Sequence, residues 1–235
     1  MSARKRFYKA VTIDPAEEGH KVLLDGRVLR SPAGSVVLLP TASLANAVAS
    51  EWDAQQEEIE PASMPQFSLA VTVLDRVMTQ REALVDEMAS YGANDLLCYR
   101  DEDDVLAAHE HTHWAPWLEW AETELQAPLA LASGIMPVTQ PTASVAALRA
   151  AVDTHNDWEL GMLHRSVALG GSLILGLGFV RGKMDDAELF TMAFLDELWQ
   201  VEKWGSDFEA EDRRDNIKRE LAAAARFLAL LRDAA

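Results

Sequence analysis

Cysteine is almost missing from this chain: among 235 residues only Cys98, inside DLLCYR, carries a thiol. One thiol closes no internal disulfide. It suits a reducing compartment and, in an apolar run with no histidine beside it, reads as a small buried hydrophobe rather than a nucleophile. No run of about 18 uninterrupted apolar residues occurs, so no transmembrane helix is expected. The longest apolar stretch, VALGGSLILGLGFV, holds four glycines and reads as a buried helix or helix pair. Positive charge is scarce: 21 lysines and arginines stand against 38 aspartates and glutamates, a formal charge of -17. Nucleic acid and anionic membrane surfaces are therefore poor partners, since both repel an acidic protein. The basic start, MSARKRFYKAVTI, lacks the apolar core of a secretory signal. There is no G-x-S-x-G elbow for serine catalysis, no internal repeat and no low-complexity tract.

What is present describes a globular protein with a real core: 49% hydrophobic and 25% charged residues. The first forty residues pattern as strands. FYKAVTI is β-branched and aromatic, and HKVLLDGRVLRSP sets Asp25-Gly26 between apolar segments, a two-residue hairpin signal. SVVLLP adds a strand stopped by Pro40. TASLANAVASEWDAQ then changes to helical spacing, with Thr41 or Ser43 as cap. The proline-bounded connector EEIEPASMP places a domain boundary near Pro61. Beyond it helices dominate. REALVDEMASYG is expected to close at Gly92, and a helix over 101–126 carries Trp114, Trp117 and Trp120 on one face, broken before Pro116. The segments ending the chain read as two helices parted at Gly205, with Ser206 and Glu209 as a capping box; one helix bent at Gly205 is the alternative. The expected fold class is α+β: a small β-rich domain with one helix over 1–61, then a larger, mainly helical domain over 62–235.

Two motifs tempt a chemical reading. HEHTH spaces His109, His111 and His113 two apart. Only His109 and His113, four apart, can share a helix face, and two ligands still need a third; a metal-dependent hydrolase on this pair is the alternative function. In GLGFVRGK, Arg181 stands where a dinucleotide loop needs its third glycine. Leu177 and Met184 replace the first glycine and the hydroxyl of a phosphate loop. No cofactor and no metal site is expected. Small residues at Gly170, Gly171 and Ser172 fit close helix packing instead.

DELWQVEKWG is the most telling stretch. With Phe194 at zero and 100° per residue, Leu198 falls near 40° and Val201 near -20°, an apolar stripe continued by Gly205 and Phe208. Trp204 lies at its edge. Glu197 lies within its margin and needs a partner, such as Arg165, because an unpaired buried charge is costly. Trp199 falls on the side that should be polar, near Asp196 and Lys203. Nine acidic residues and one lysine lie between Asp185 and Glu211, so an interface here prefers a basic partner. Exposed aromatics with a charged rim are what interface anchors look like.

The chain resembles the assembly chaperones of F-type ATP synthase that hold the catalytic-sector alpha subunit. KRFYKAV, VLLDGRVLRSPAG, LPTASLANAVASEWDAQQEEIEPASMP, NDLLCYR, GIMPVTQP, GSLILGLGFVRG, DELWQVEKWG and AAAARFLALL carry the likeness over nearly the whole sequence. Asn94 departs from it, where a hydroxyl residue is expected. The resemblance implies a non-enzymatic holdase. It would shield the assembly interface of unassembled alpha subunit until beta subunit replaces it. It further implies partner-binding roles for Asp196, Glu197, Gln200, Glu202 and Trp204, beside Trp199, and a structural role for Trp52. Mitochondrial members carry a leader before the match to RFYKA; this chain begins almost at it, which implies a bacterial cytoplasmic member, expected to act as a monomer.

Overall fold

The computed structural model describes residues 4–134, 136–205 and 207–233. Contacts divide the chain into two units, Met1–Arg81 with Ala223–Ala235, and Glu82–Ala222. Both the β-rich beginning and the helical remainder appear, so the fold is α+β.

In the first unit, β1 (Arg4–Lys5) pairs antiparallel with β6 (Glu58–Ile59). A second sheet holds β2 (Val11–Ala16), β3 (Gly19–Leu24), β4 (Arg27–Val28) and β5 (Leu38–Leu39), with β3 pairing the other three. The β3–β4 hairpin turns at Asp25 and Gly26, whose φ values of 48° and 77° are the left-handed pair that Asp-Gly tolerates. The Asp25 carboxylate also accepts from the backbone N–H groups of Lys9 and Ala10, which hold its pKa down. Helix α1 (Ala42–Asp53) is capped by Thr41, which accepts from Leu44 N. Trp52 is buried edge-on to Tyr8 and Phe67, and the Tyr8 hydroxyl donates to Trp52 O at 2.6 Å.

The boundary differs from the one expected near Pro61. Glu51 accepts from the N–H groups of Gln66 and Phe67, both at 2.8 Å, at the start of α2 (Pro65–Thr72). The last turns of the final helix return to this unit: Gln66 donates to Ala223 O, Thr41 to Leu230 O and Ser43 to Asp233. A proline-bounded connector marks a turn in the path, but these long-range hydrogen bonds decide which segments pack together.

The second unit runs from α3 (Arg81–Ala93) through β7 (Tyr99–Arg100), α4 (Asp104–Glu124), β8 (Ala132–Ser133), α5 (Thr142–Asp153), α6 (Asp157–Gly170), α7 (Leu173–Val180), α8 (Asp186–Ala193) and α9 (Leu195–Trp204) into α10 (Phe208–Arg232), which ends in the first unit. Gly92 lies inside α3 rather than closing it; a Cβ there would meet Leu148 Cδ1 at 2.7 Å, so the glycine serves packing. Helix α4 runs unbroken through Pro116. Its Trp114 is buried, with its indole N–H donating to Met192 O at 3.0 Å, so packing outweighs the backbone bond that proline forfeits.

The glycine-rich stretch is helix packing, though not in the way anticipated at each position. Gly170 packs close to Ala193. Gly171 ends α6 at φ 71° with open space around it, and Ser172 caps α7 through Leu175 N. The tightest approaches come later. A Cβ on Gly176 would stand 2.6 Å from Val167, and one on Gly178 would stand 2.8 Å from Trp117. Cys98 is buried, and burial pushes its thiol up to about 12, which leaves it a neutral hydrophobe.

The chain ends as two helices, parted by Gly205 at φ 81° and ψ 178°. The Ser206 cap lies outside the described residues; the Asp207 carboxylate accepts from Ala210 N at 2.8 Å in the first turn of α10.

Candidate functional site

Helix α9 carries all six residues singled out in the sequence, and the structure sends them three ways. Gln200, Glu202 and Trp204 face solvent, Trp204 with 74% of its surface exposed. Its indole meets half-buried Trp199 edge-on at 5.8 Å, and the Lys203 ammonium lies 4.6 Å from the Trp199 ring. Phe208, just past Gly205, is also 74% exposed. Two large, mostly exposed aromatics therefore flank the bend in an acidic segment.

Glu197 turns toward α10. One oxygen pairs with Arg213, the other with Arg214 Nη1 at 2.8 Å. The partner is thus not Arg165, which pairs with Glu220. Arg214 is 6% exposed, so Glu197 neutralises a buried guanidinium and ties the helices together across their bend. Burial alone would raise the Glu197 pKa; the two arginines outweigh it and hold the carboxyl below its usual range. Glu197→Lys would gather three cations in this corner. It is expected to cost about 1–3 kcal/mol of stability, discounted from a fully buried pair because Glu197 is partly exposed. Thermal melting checks this, with Glu197→Gln expected to lose less.

Asp196 points the third way. The wheel set it on a polar side, with Leu198 and Val201 toward the core. Instead Leu195 is the buried residue of α9, and Leu198 lines an open apolar groove with Phe190 and Ala222. The chain breaks at Phe194 (φ -113°, ψ 23°), and α9 turns Leu195 rather than Leu198 and Val201 to the interior. Asp196 enters a cleft of about 430 Å³ whose lining includes Arg100, Glu110 and Trp114.

Glu110 and Arg100 were missed by sequence reasoning, which dwelt on the histidines around Glu110. Glu110 is 2% exposed and accepts from Asp101 N at 2.9 Å. Arg100 donates to Leu97 O at 2.8 Å and Tyr99 O at 2.9 Å, and its guanidinium lies 5.2 Å from the Trp114 ring. The available signal was that Glu110 stands four residues before Trp114 and so shares its face. The rings of His109 and His113 do approach, at 4.5 Å. Among the described residues no three histidine, cysteine or carboxylate side chains converge as a metal-holding group.

Comparison with known proteins decides the lineage. Residues 5–122 match the family model described as ATP12 chaperone protein. The chain belongs to the ATP12 chaperone family. This is the family of ATP synthase assembly chaperones that its sequence resembles. Mitochondrial atp12 of Schizosaccharomyces pombe is 26% identical over 236 residues, covering 94% of this chain and 81% of that protein. Mitochondrial ATP12 of Saccharomyces cerevisiae is 25% identical over 265 residues, covering 92% and 80%. The crystal structure of Atp12 from Paracoccus denitrificans superposes with a TM-score of 0.92 at 39% identity, covering 97% of this chain and 99% of that one. No helix among the described residues is long and apolar enough to cross a membrane.

Proposed function

We propose that this ATP12-family chain is a holdase for the unassembled alpha subunit of F-type ATP synthase, with α9 and the bend after it as the binding surface. The observation that carries the reading is the pair Trp204 and Phe208, both exposed on an acidic segment. Large aromatics left in water cost free energy that a partner can recover, and they are the commonest anchors of protein interfaces. Gln200 and Glu202 form a polar rim, and the surrounding negative charge selects a basic patch on the client. Glu197 acts indirectly, by holding α9 against α10. The mechanism is mass action: covering the alpha subunit's assembly interface lowers the free concentration of its aggregation-prone form, and beta subunit displaces the chaperone by competing for that interface. This work calls for no cofactor and no turnover, and suits a monomer in the bacterial cytoplasm.

Co-purification with alpha subunit expressed alone tests the proposal. Capture is expected, with release when beta subunit is added. Absence of capture while alpha subunit remains soluble would overturn it.

A further inference from the structure

Two carboxyl groups, Glu110 from α4 and Asp196 from α9, meet in the cleft beside β7. Asp196 Oδ1 is buried with no N–H or protein hydroxyl directed at it. Two carboxylates can only accept, so any hydrogen bond between these two requires that one of them keeps a proton. The charges around the pair agree. Arg100 is the cation beside it; its Nη1 is committed to two backbone carbonyls, while Nε and Nη2 are buried without an acceptor. One guanidinium balances a pair holding one proton, whereas two ionised carboxylates would leave an uncompensated charge in a partly desolvated site.

We propose that Glu110 and Asp196 share a single proton and that this proton latches α9 to α4, making Glu110 a positioning residue for the binding face of α9. The inference deepens the holdase reading, in which α9 is that face, but the latch can be tested without a client.

The other groups facing the pair are Asp101 and Glu102 from the loop after β7, and His109 one residue before Glu110. Asp101 contributes its backbone N–H to Glu110, and its carboxylate adds to the negative charge felt by Asp196. The Cys98 thiol near Arg100 stays neutral. Burial pushes Glu110 up to about 7, with the Asp196 charge adding to the effect, and burial likewise raises Asp196. When α9 opens, Glu110 returns to an ordinary glutamate value of about 4.3. The closed form therefore binds the extra proton. Its advantage is full below that ordinary value and is lost as pH rises through about 7, after which it changes no further.

The first experiment compares hydrogen exchange in α9, expressed as protection relative to the intrinsic rate, at pH 5.5 and 7.5. Wild-type protection is expected to fall about twentyfold across this interval. Glu110→Gln supplies an amide N–H to Asp196 and keeps an acceptor for Asp101 N, so its α9 is expected to stay protected at both values. Glu110→Ala should leave α9 open at both. Asp196→Asn, which can donate to Glu110, provides a second latched variant if the alanine form does not fold. An infrared band of a protonated carboxyl, titrating near neutrality in wild type and missing in Glu110→Gln, would report the shared proton directly. Equal pH dependence in wild type and Glu110→Gln would overturn the latch. Failure to capture alpha subunit at either pH, with exchange still pH-dependent only in wild type, would strike the holdase reading and uphold the latch.

Discussion

Trp204→Ala is expected to weaken capture of the alpha subunit by about 2 kcal/mol, roughly thirtyfold in affinity, while thermal melting stays unchanged. The separation of the two effects follows from its position. Trp204 ends α9 with 74% of its surface in water and touches the fold mainly through the edge of Trp199. Removing it therefore takes little from the core. A partner that covers it would bury a large apolar ring, and aromatics at the centre of a dry contact dominate binding energy. A titration of labelled alpha subunit, run beside a melting curve, reads both quantities. Undiminished affinity would move the interface away from the end of α9; a lowered melting temperature would make the ring part of the fold.

Asp95→Ala is expected to be the most damaging of these substitutions to the fold itself, at about 3 kcal/mol or more, read as a lower denaturation midpoint. Asp95 is fully buried between two segments distant in the chain. One oxygen accepts from Leu97 N at 3.1 Å in the turn that leads into β7, and the other from Ile174 N at 3.1 Å in the first turn of α7. Alanine would strand these donors away from water, and each buried orphan costs about 1–3 kcal/mol. Burial raises the Asp95 pKa, opposed by these same bonds. Asp95→Asn should be milder, since its amide oxygen still accepts. A midpoint unchanged in Asp95→Ala would mean that water or a shifted backbone takes over those bonds.

Asp95 also shows how far sequence alone reaches. DLLCYR reads locally as a short strand or extended link, and the structure has one at Tyr99–Arg100, preceded by a turn over Leu96–Cys98 that Asp95 caps. Nothing in those letters says that the second oxygen caps α7. The DG hairpin was legible because both turn residues need positive φ, a property of two adjacent residues. GLGFVRGK was legible as no phosphate-binding loop because motif mechanics failed at Leu177, Arg181 and Met184, but close packing was expected at Gly170, Gly171 and Ser172, whereas the tightest approaches are at Gly176 and Gly178. Their contacts, Val167 and Trp117, were not legible. In α9 the apolar period was real, yet its phase misled: a wheel shows which residues share a side, not which side a neighbour covers.

The sequence by itself determined the hairpin, the helical character of the second unit and the acidic charge. Each rests on short-range turn chemistry, on periodicity, or on composition along a continuous stretch; the family was legible only as a resemblance of whole motifs, which comparison with known proteins then bore out. Only the tertiary structure decided that Glu197 answers Arg213 and Arg214, that Asp196 meets Glu110 beside Arg100, and that the last helix returns to the first unit. The physical reason is that a buried charge is satisfied by whichever group the packing of remote segments brings within a few ångströms. That choice is made by the sum of many contacts and leaves no local mark in the chain.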